Sequence, residues 1–171
     1  MKCAAIFAGA VLLLPGVAVA QDAGTAYGFG PGDRTATLSG SGINTKDFDD
    51  GAFGVAGSID WFVMDNLSVG VRQDLNWADN EDNDDAWAGA TRLAADYHFD
   101  FSRLQPFLGA SIGYIYGDAV NEAWVAGPEG GLKFFVNDTT YLFGQTAYQF
   151  DLEDGFDEGS WIHNVGVGFK F

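Results

Sequence analysis

The chain has 171 residues, 24 acidic against 8 basic side chains, a formal net charge of -16, and 24 glycines against 4 prolines. That acidity excludes a nucleic-acid partner, since gripping a phosphate backbone takes Lys and Arg. The single cysteine, Cys3, rules out an internal disulfide framework and a multi-thiolate metal site.

Lys2 precedes an apolar run from Ala4 to Leu14, followed by Ala18-Val19-Ala20. This is the pattern of an export signal cleaved near Ala20, which would also remove Cys3. The run is about half the ~20 residues that a spanning helix needs, and no later stretch is apolar for long enough, so any membrane span must be β. Roughly 150 residues then remain, one domain's worth. Residues 21–33 read as a flexible lead. Within it Gly28-Phe29-Gly30-Pro31-Gly32 carries no nucleotide signal, because no helix follows.

From Arg34 onward period-two alternation predicts eight strands of about 9 to 11 residues, the length of a tilted membrane strand. Strand one, Arg34 to Ile43, sets Ala36, Leu38, Gly40 and Gly42 against Thr35, Thr37, Ser39 and Ser41. Strand two places Phe53, Val55, Gly57, Ile59 and Trp61 on one face. Strand three sets Leu67, Val69, Val71, Leu75 and Trp77 against Ser68, Gly70, Arg72, Asp74 and Asn76. Strand four offers Trp87, Leu93, Ala95, Tyr97 and Phe99, and strand five Leu108, Ala110, Ile112, Tyr114 and Tyr116. Strand six sets Trp124, Ala126, Leu132, Phe134 and Val136 against Gly127, Glu129, Gly131 and Lys133, and strand seven carries Leu142, Tyr148 and Phe150. In the last, Val165, Val167, Phe169 and Phe171 share a face opposite Asn164, Gly166, Gly168 and Lys170.

Short links (Met64 to Asn66, Asp100 to Leu104, Asn137 to Thr139) alternate with longer ones (Asn44 to Gly51, Ala78 to Asp85, Gly117 to Glu122, Asp151 to Ser160). The longer links hold fifteen of the 24 acids and one base, Lys46. Within strands four acids, Asp60, Asp74, Asp96 and Glu129, and four bases, Arg72, Arg92, Lys133 and Lys170, fall on the polar face. These are expected to form a charge-balanced network of ion pairs inside the barrel, because an unpaired charge in a poorly hydrated interior is costly. Outward aromatics segregate. Trp77, Trp87, Tyr116, Trp124, Phe150 and Trp161 gather at the long-link ends, and Trp61, Tyr97, Phe99, Phe134, Phe169 and Phe171 at the short-link ends. Two such girdles around an aliphatic band are the arrangement of a membrane-spanning barrel rather than of a soluble one.

Segments such as Gly54-Val55-Ala56-Gly57-Ser58, Asp65-Asn66-Leu67-Ser68-Val69-Gly70, Gln105-Pro106-Phe107-Leu108-Gly109-Ala110 and the terminal Val165-Gly166-Val167-Gly168-Phe169 resemble the small eight-stranded outer-membrane β-barrel proteins. That superfamily contains the OmpA transmembrane domain and OmpX. The resemblance implies an antiparallel up-and-down barrel over 34–171 in a Gram-negative outer membrane, with a polar packed lumen. Short turns and both termini would be periplasmic, and the long acidic loops external. It also implies that Val165, Val167, Phe169 and Phe171 form a sorting signal read by the barrel-assembly machinery. No peptidoglycan-binding domain accompanies the barrel, so peptidoglycan tethering is not implied.

Some small barrels of this kind modify lipid A, and only His98 and His163 are available for such chemistry. Ser160 lies an odd separation from His163, on the opposite face if both are in the strand. No catalytic residue and no cofactor are therefore expected. Oxygen-rich loop clusters suit divalent cations, making Asp79, Glu81, Asp82, Asp84, Asp85, Asp154, Asp157 and Glu158 candidates for bridging Ca²⁺ or Mg²⁺ to lipopolysaccharide, although neither loop has EF-hand spacing. The expected role is structural or surface-interacting, with a ligand the sequence does not identify. A narrow porin-like ion channel is the first alternative and a lipid A-modifying enzyme the second.

Overall fold

The computed structural model describes residues 27–45, 51–78, 86–118, 120–153, 156 and 159–171, with side chains for all of these except 41–45, 51–53, 78 and 86. The export signal lies outside the described residues, as do Lys46, Asp47, Asp49 and Asp50 of the first long link and all eight candidate divalent ligands. The strands are β1 (Arg34–Thr45), β2 (Gly51–Met64), β3 (Leu67–Ala78), β4 (Ala86–His98), β5 (Leu104–Tyr116), β6 (Ala123–Phe135), β7 (Thr140–Asp151) and β8 (Ser160–Lys170). Each pairs antiparallel with the next, and β1 pairs with β8 from Thr35↔Lys170 to Thr45↔Ser160, closing the barrel.

The strands run 11 to 14 residues, longer than the 9 to 11 anticipated. Backbone pairing continues beyond the apolar band at their ends: Gly51 still pairs with Asn44. Phe99 and Val136 fall just past the ends of β4 and β6. The short links turn on residues that tolerate unusual backbone. Asn66 adopts φ 63°, a left-handed conformation that Asn reaches at low cost. Asn137 Oδ1 accepts from the backbone N–H groups of Thr139 and Thr140 at 3.0 and 2.9 Å, building a turn from one side chain.

Period two makes the two barrel surfaces chemically opposite. Most outward residues are apolar and uncovered: Val165 is 71% exposed, Leu38 64%, Leu108 63% and Leu93 62%. Inward charges are covered, and Asp60, Arg72, Asp74, Arg92, Asp96, Glu129 and Lys133 are each 7% exposed or less. Such a barrel is inverted relative to a water-soluble domain.

Two glycines of neighbouring strands show how closely the wall packs. A Cβ at inward-facing Gly166 would lie 2.1 Å from the Leu38 carbonyl oxygen and 2.7 Å from Ser39 Cα, whereas one at outward-facing Gly144 would meet nothing within 4 Å. Gly166→Ala is therefore expected to destabilise the barrel by about 1–3 kcal/mol through backbone displacement, and Gly144→Ala to leave it nearly unchanged. Urea unfolding followed by tryptophan fluorescence would measure both.

Candidate functional site

The inward side chains of the described residues converge in the lumen, which is filled in layers. Arg72 on β3 donates to Asp96 on β4 through Nη2 and to Glu129 on β6 through Nη1. Arg92 on β4 grips Asp74 on β3 through Nη2, with its Nε 3.2 Å from the same carboxylate oxygen. Antiparallel pairing sets Arg72 directly beside Arg92. Each guanidinium therefore needs its own carboxylate, and Arg72 takes two.

The remaining charges of the expected network are placed differently. Asp60 accepts from the hydroxyls of Thr35 at 3.2 Å and Ser58 at 3.0 Å and makes no ion pair within 4 Å among the described residues. Lys133 lies among aromatic faces. Its Nζ is 5.0 Å from the ring centre of Phe29, 5.2 Å from Tyr141, 5.4 Å from Phe107 and 5.9 Å from Phe62, within the range where a cation is attracted to a ring quadrupole. Lys170 stands at the short-turn end, donating to the Gly28 carbonyl at 2.9 Å with Asp33 at 4.0 Å. The eight strand charges thus divide among two arginine clusters, a hydroxyl-bound acid, a caged lysine and a lysine at the mouth.

The cage also corrects the expectation of a flexible lead. Tyr27–Asp33 turns back into the short-turn mouth. Phe29 is 5% exposed, its ring stacked on Phe62 at 4.2 Å with planes 10° apart. It also meets Phe135 at 5.3 Å, His98 at 5.1 Å and Tyr141 at 6.1 Å. Backbone bonds from Gly32 N to Phe62 O (2.8 Å) and from Phe62 N to Asp33 O (2.9 Å) fix the turn onto β2. Gln105 Nε2 donates to the Tyr27 carbonyl at 3.0 Å, and Arg103 donates to the Tyr27 hydroxyl at 2.8 Å while lying over its ring. An aromatic flanked by glycines has no periodicity to reveal its burial. The available signal was Asp33, whose Oδ2 accepts from Gly30 N at 2.9 Å to tighten the turn.

Above the cage, Asp60, Arg72, Asp74, Arg92, Gln145 and Asn164 are among the residues lining a cavity of about 20 Å³, room for about one water. On the outer surface the named aromatics lie at the two strand ends, with ring contacts Trp87 to Tyr116 at 6.1 Å, Tyr148 to Trp161 at 5.0 Å and Tyr97 to Phe99 at 5.3 Å. His98 sits inside, 3.3 Å from the Asn66 carbonyl through Nδ1. His163 faces outward, its Nδ1 3.1 Å from the Thr146 hydroxyl. Among the described residues none cluster as a metal site.

No family model matches the chain. Among curated proteins, outer membrane porin F of Pseudomonas aeruginosa is 27% identical over 130 residues, 67% of this chain, and the match spans only 37% of that relative's length. Among solved structures, the outer membrane protein OprG from Pseudomonas aeruginosa aligns with TM-score 0.66 and 12% identity, covering 86% of this chain and 99% of that one. The N-terminal β-barrel domain of Pseudomonas aeruginosa OprF aligns with TM-score 0.59 and 21% identity, covering 84% and 100%. The fold is that of the small eight-stranded outer-membrane β-barrels.

Replacing Arg72 by Leu strands two buried carboxylates, Asp96 and Glu129, and is expected to cost about 3–5 kcal/mol. Adding Asp96→Asn and Glu129→Gln to that variant should recover most of the loss. Equilibrium unfolding of the single and triple variants in lipid vesicles would measure both.

Proposed function

We propose that this chain is an integral outer-membrane protein, inserted after export and signal cleavage near Ala20, whose barrel holds four acidic loops on the outer surface in a structural or surface-interaction role. The observation that carries this reading is the inverted barrel: a largely apolar, uncovered outer wall around buried charge. Water would oppose that arrangement and a bilayer favours it. The relatives' outer-membrane descriptions support the same location. The two aromatic girdles would sit at the interfaces, with the short turns and both termini periplasmic. The face of Val165, Val167, Phe169 and Phe171 would serve as the sorting signal for the assembly machinery.

A porin-like role is the second reading, favoured by the curated relative's description as a porin, although the match covers its smaller part. The packed lumen supports a barrel that passes no solute while the mouth is closed. No enzymatic role is proposed, since His163 on the outer wall bonds the Thr146 hydroxyl and Ser160 lies at an odd separation from it on the same strand, on the opposite face. The loop acids Asp79 to Asp85 and Asp154 to Glu158 would hold divalent cations against lipopolysaccharide phosphates, since clustered carboxylates suit hard cations.

Val165 stands at mid-strand on the outer wall, level with Gly40 and Gly144. Val165→Arg should therefore cost about 2–4 kcal/mol in vesicles, the penalty of a base at the bilayer midplane. Unchanged stability would sink the membrane reading. Calcium should raise the unfolding temperature of protein in lipopolysaccharide-containing vesicles, and a flat titration would dismiss the cation role while leaving the membrane reading intact.

A further inference from the structure

We propose that Tyr27–Asp33 is a self-supplied plug that gates the lumen at its short-turn end. The segment precedes the strand ring and contributes nothing to its closure. Nevertheless it is pinned to the wall at several points around the mouth. Gly32 and Asp33 bond the backbone of β2 at Phe62, Gln105 at the start of β5 holds the Tyr27 carbonyl, and Lys170 at the end of β8 holds the Gly28 carbonyl. Phe29 fills the centre, against rings from β2, β4, β6 and β7.

Removing this ring would take away one of the four ring faces around Lys133, the one on the mouth side, with the polar cavity directly above. Asp60 and Arg72 line that cavity together with Lys133 itself. The sequence of groups from mouth to mid-lumen is therefore aromatic seal, caged cation, then paired carboxylates and guanidinia around a cavity with room for about one water. Attachment through a short segment is reversible in a way that strand pairing is not. Its bonds are a handful of backbone and side-chain contacts, and its turn depends on Gly32 at φ +92°. The segment can leave without breaking the ring of strands.

Two substitutions separate the plug from the barrel. Phe29→Ala removes the stopper ring. Gly32→Ala meets nothing within 4 Å but penalises the backbone that turns the segment inward. Both residues precede β1, so both variants should keep the heat-modifiable mobility of a folded barrel. The experiment pairs single-channel recording in planar bilayers with amide hydrogen exchange at Gly32 and Phe62 in detergent, using protein exported and purified from membranes. The bilayer arm rests on the membrane reading of the barrel, and the exchange arm does not.

The expected result is slow exchange and rare openings in the unsubstituted chain. In Phe29→Ala the docked population should fall on the order of 100-fold, the scale of truncating a buried Phe, with a parallel gain in open time and in exchange at both amides. Gly32→Ala should shift both readouts in the same direction by less. Fast exchange in the unsubstituted chain would overturn the docked state. Faster exchange in the variants without added conductance would overturn the gate, as would openings in the unsubstituted chain as frequent as those of Phe29→Ala.

Discussion

The pairing of β1 with β8 is the contact on which everything else depends. Until Thr35 through Thr45 find Lys170 through Ser160, two strand edges carry rows of unpaired N–H and C=O groups, which hydrocarbon does not solvate. Once they pair, parity takes over. Each side chain is either on the wall or in the lumen, and no strand can exchange the two without slipping by a residue and carrying its charges outward. The location of the buried acids is thus a consequence of closure rather than of any local preference.

Closure also sets the electrostatics. Arg72 and Arg92 are direct cross-strand partners, a pairing that like charges disfavour. Asp74 answers Arg92, while Asp96 and Glu129 answer Arg72. Glu129 comes from β6, three strands away, reaching across the lumen. An eight-stranded ring is narrow enough for this, its interior being about the width its side chains fill. The same narrowness lets Lys133 be stabilised by ring faces instead of a carboxylate, freeing Asp60 to bind hydroxyls.

The wall was legible in the sequence because alternation is a local signal: Leu67, Val69 and Val71 against Ser68, Gly70 and Arg72 need no tertiary knowledge. The closed eight-stranded order followed from strand count and link lengths. The lumen was legible only as a set of residues. Which guanidinium meets which carboxylate depends on stagger between strands and on reach across the bore, neither of which is written in any single strand. Lys170 belonged by parity with the interior charges, yet its position as the last residue of β8 puts it at the mouth. The burial of Phe29, within a segment that reads as a flexible lead, left no local signal, since its partners Phe62, His98, Phe135 and Tyr141 come from four strands.

The bond from Lys170 Nζ to the Gly28 carbonyl spans 142 positions of chain, and that span imposes an order in time. Residues near the start of the chain emerge first during synthesis, yet their binding site does not exist until the final strand has joined. Contacts of such long separation form late, after intervening loops have closed. The bond from Lys170 to the segment at the mouth therefore forms only once β8 is in place, and it marks a barrel whose ring of strands is closed.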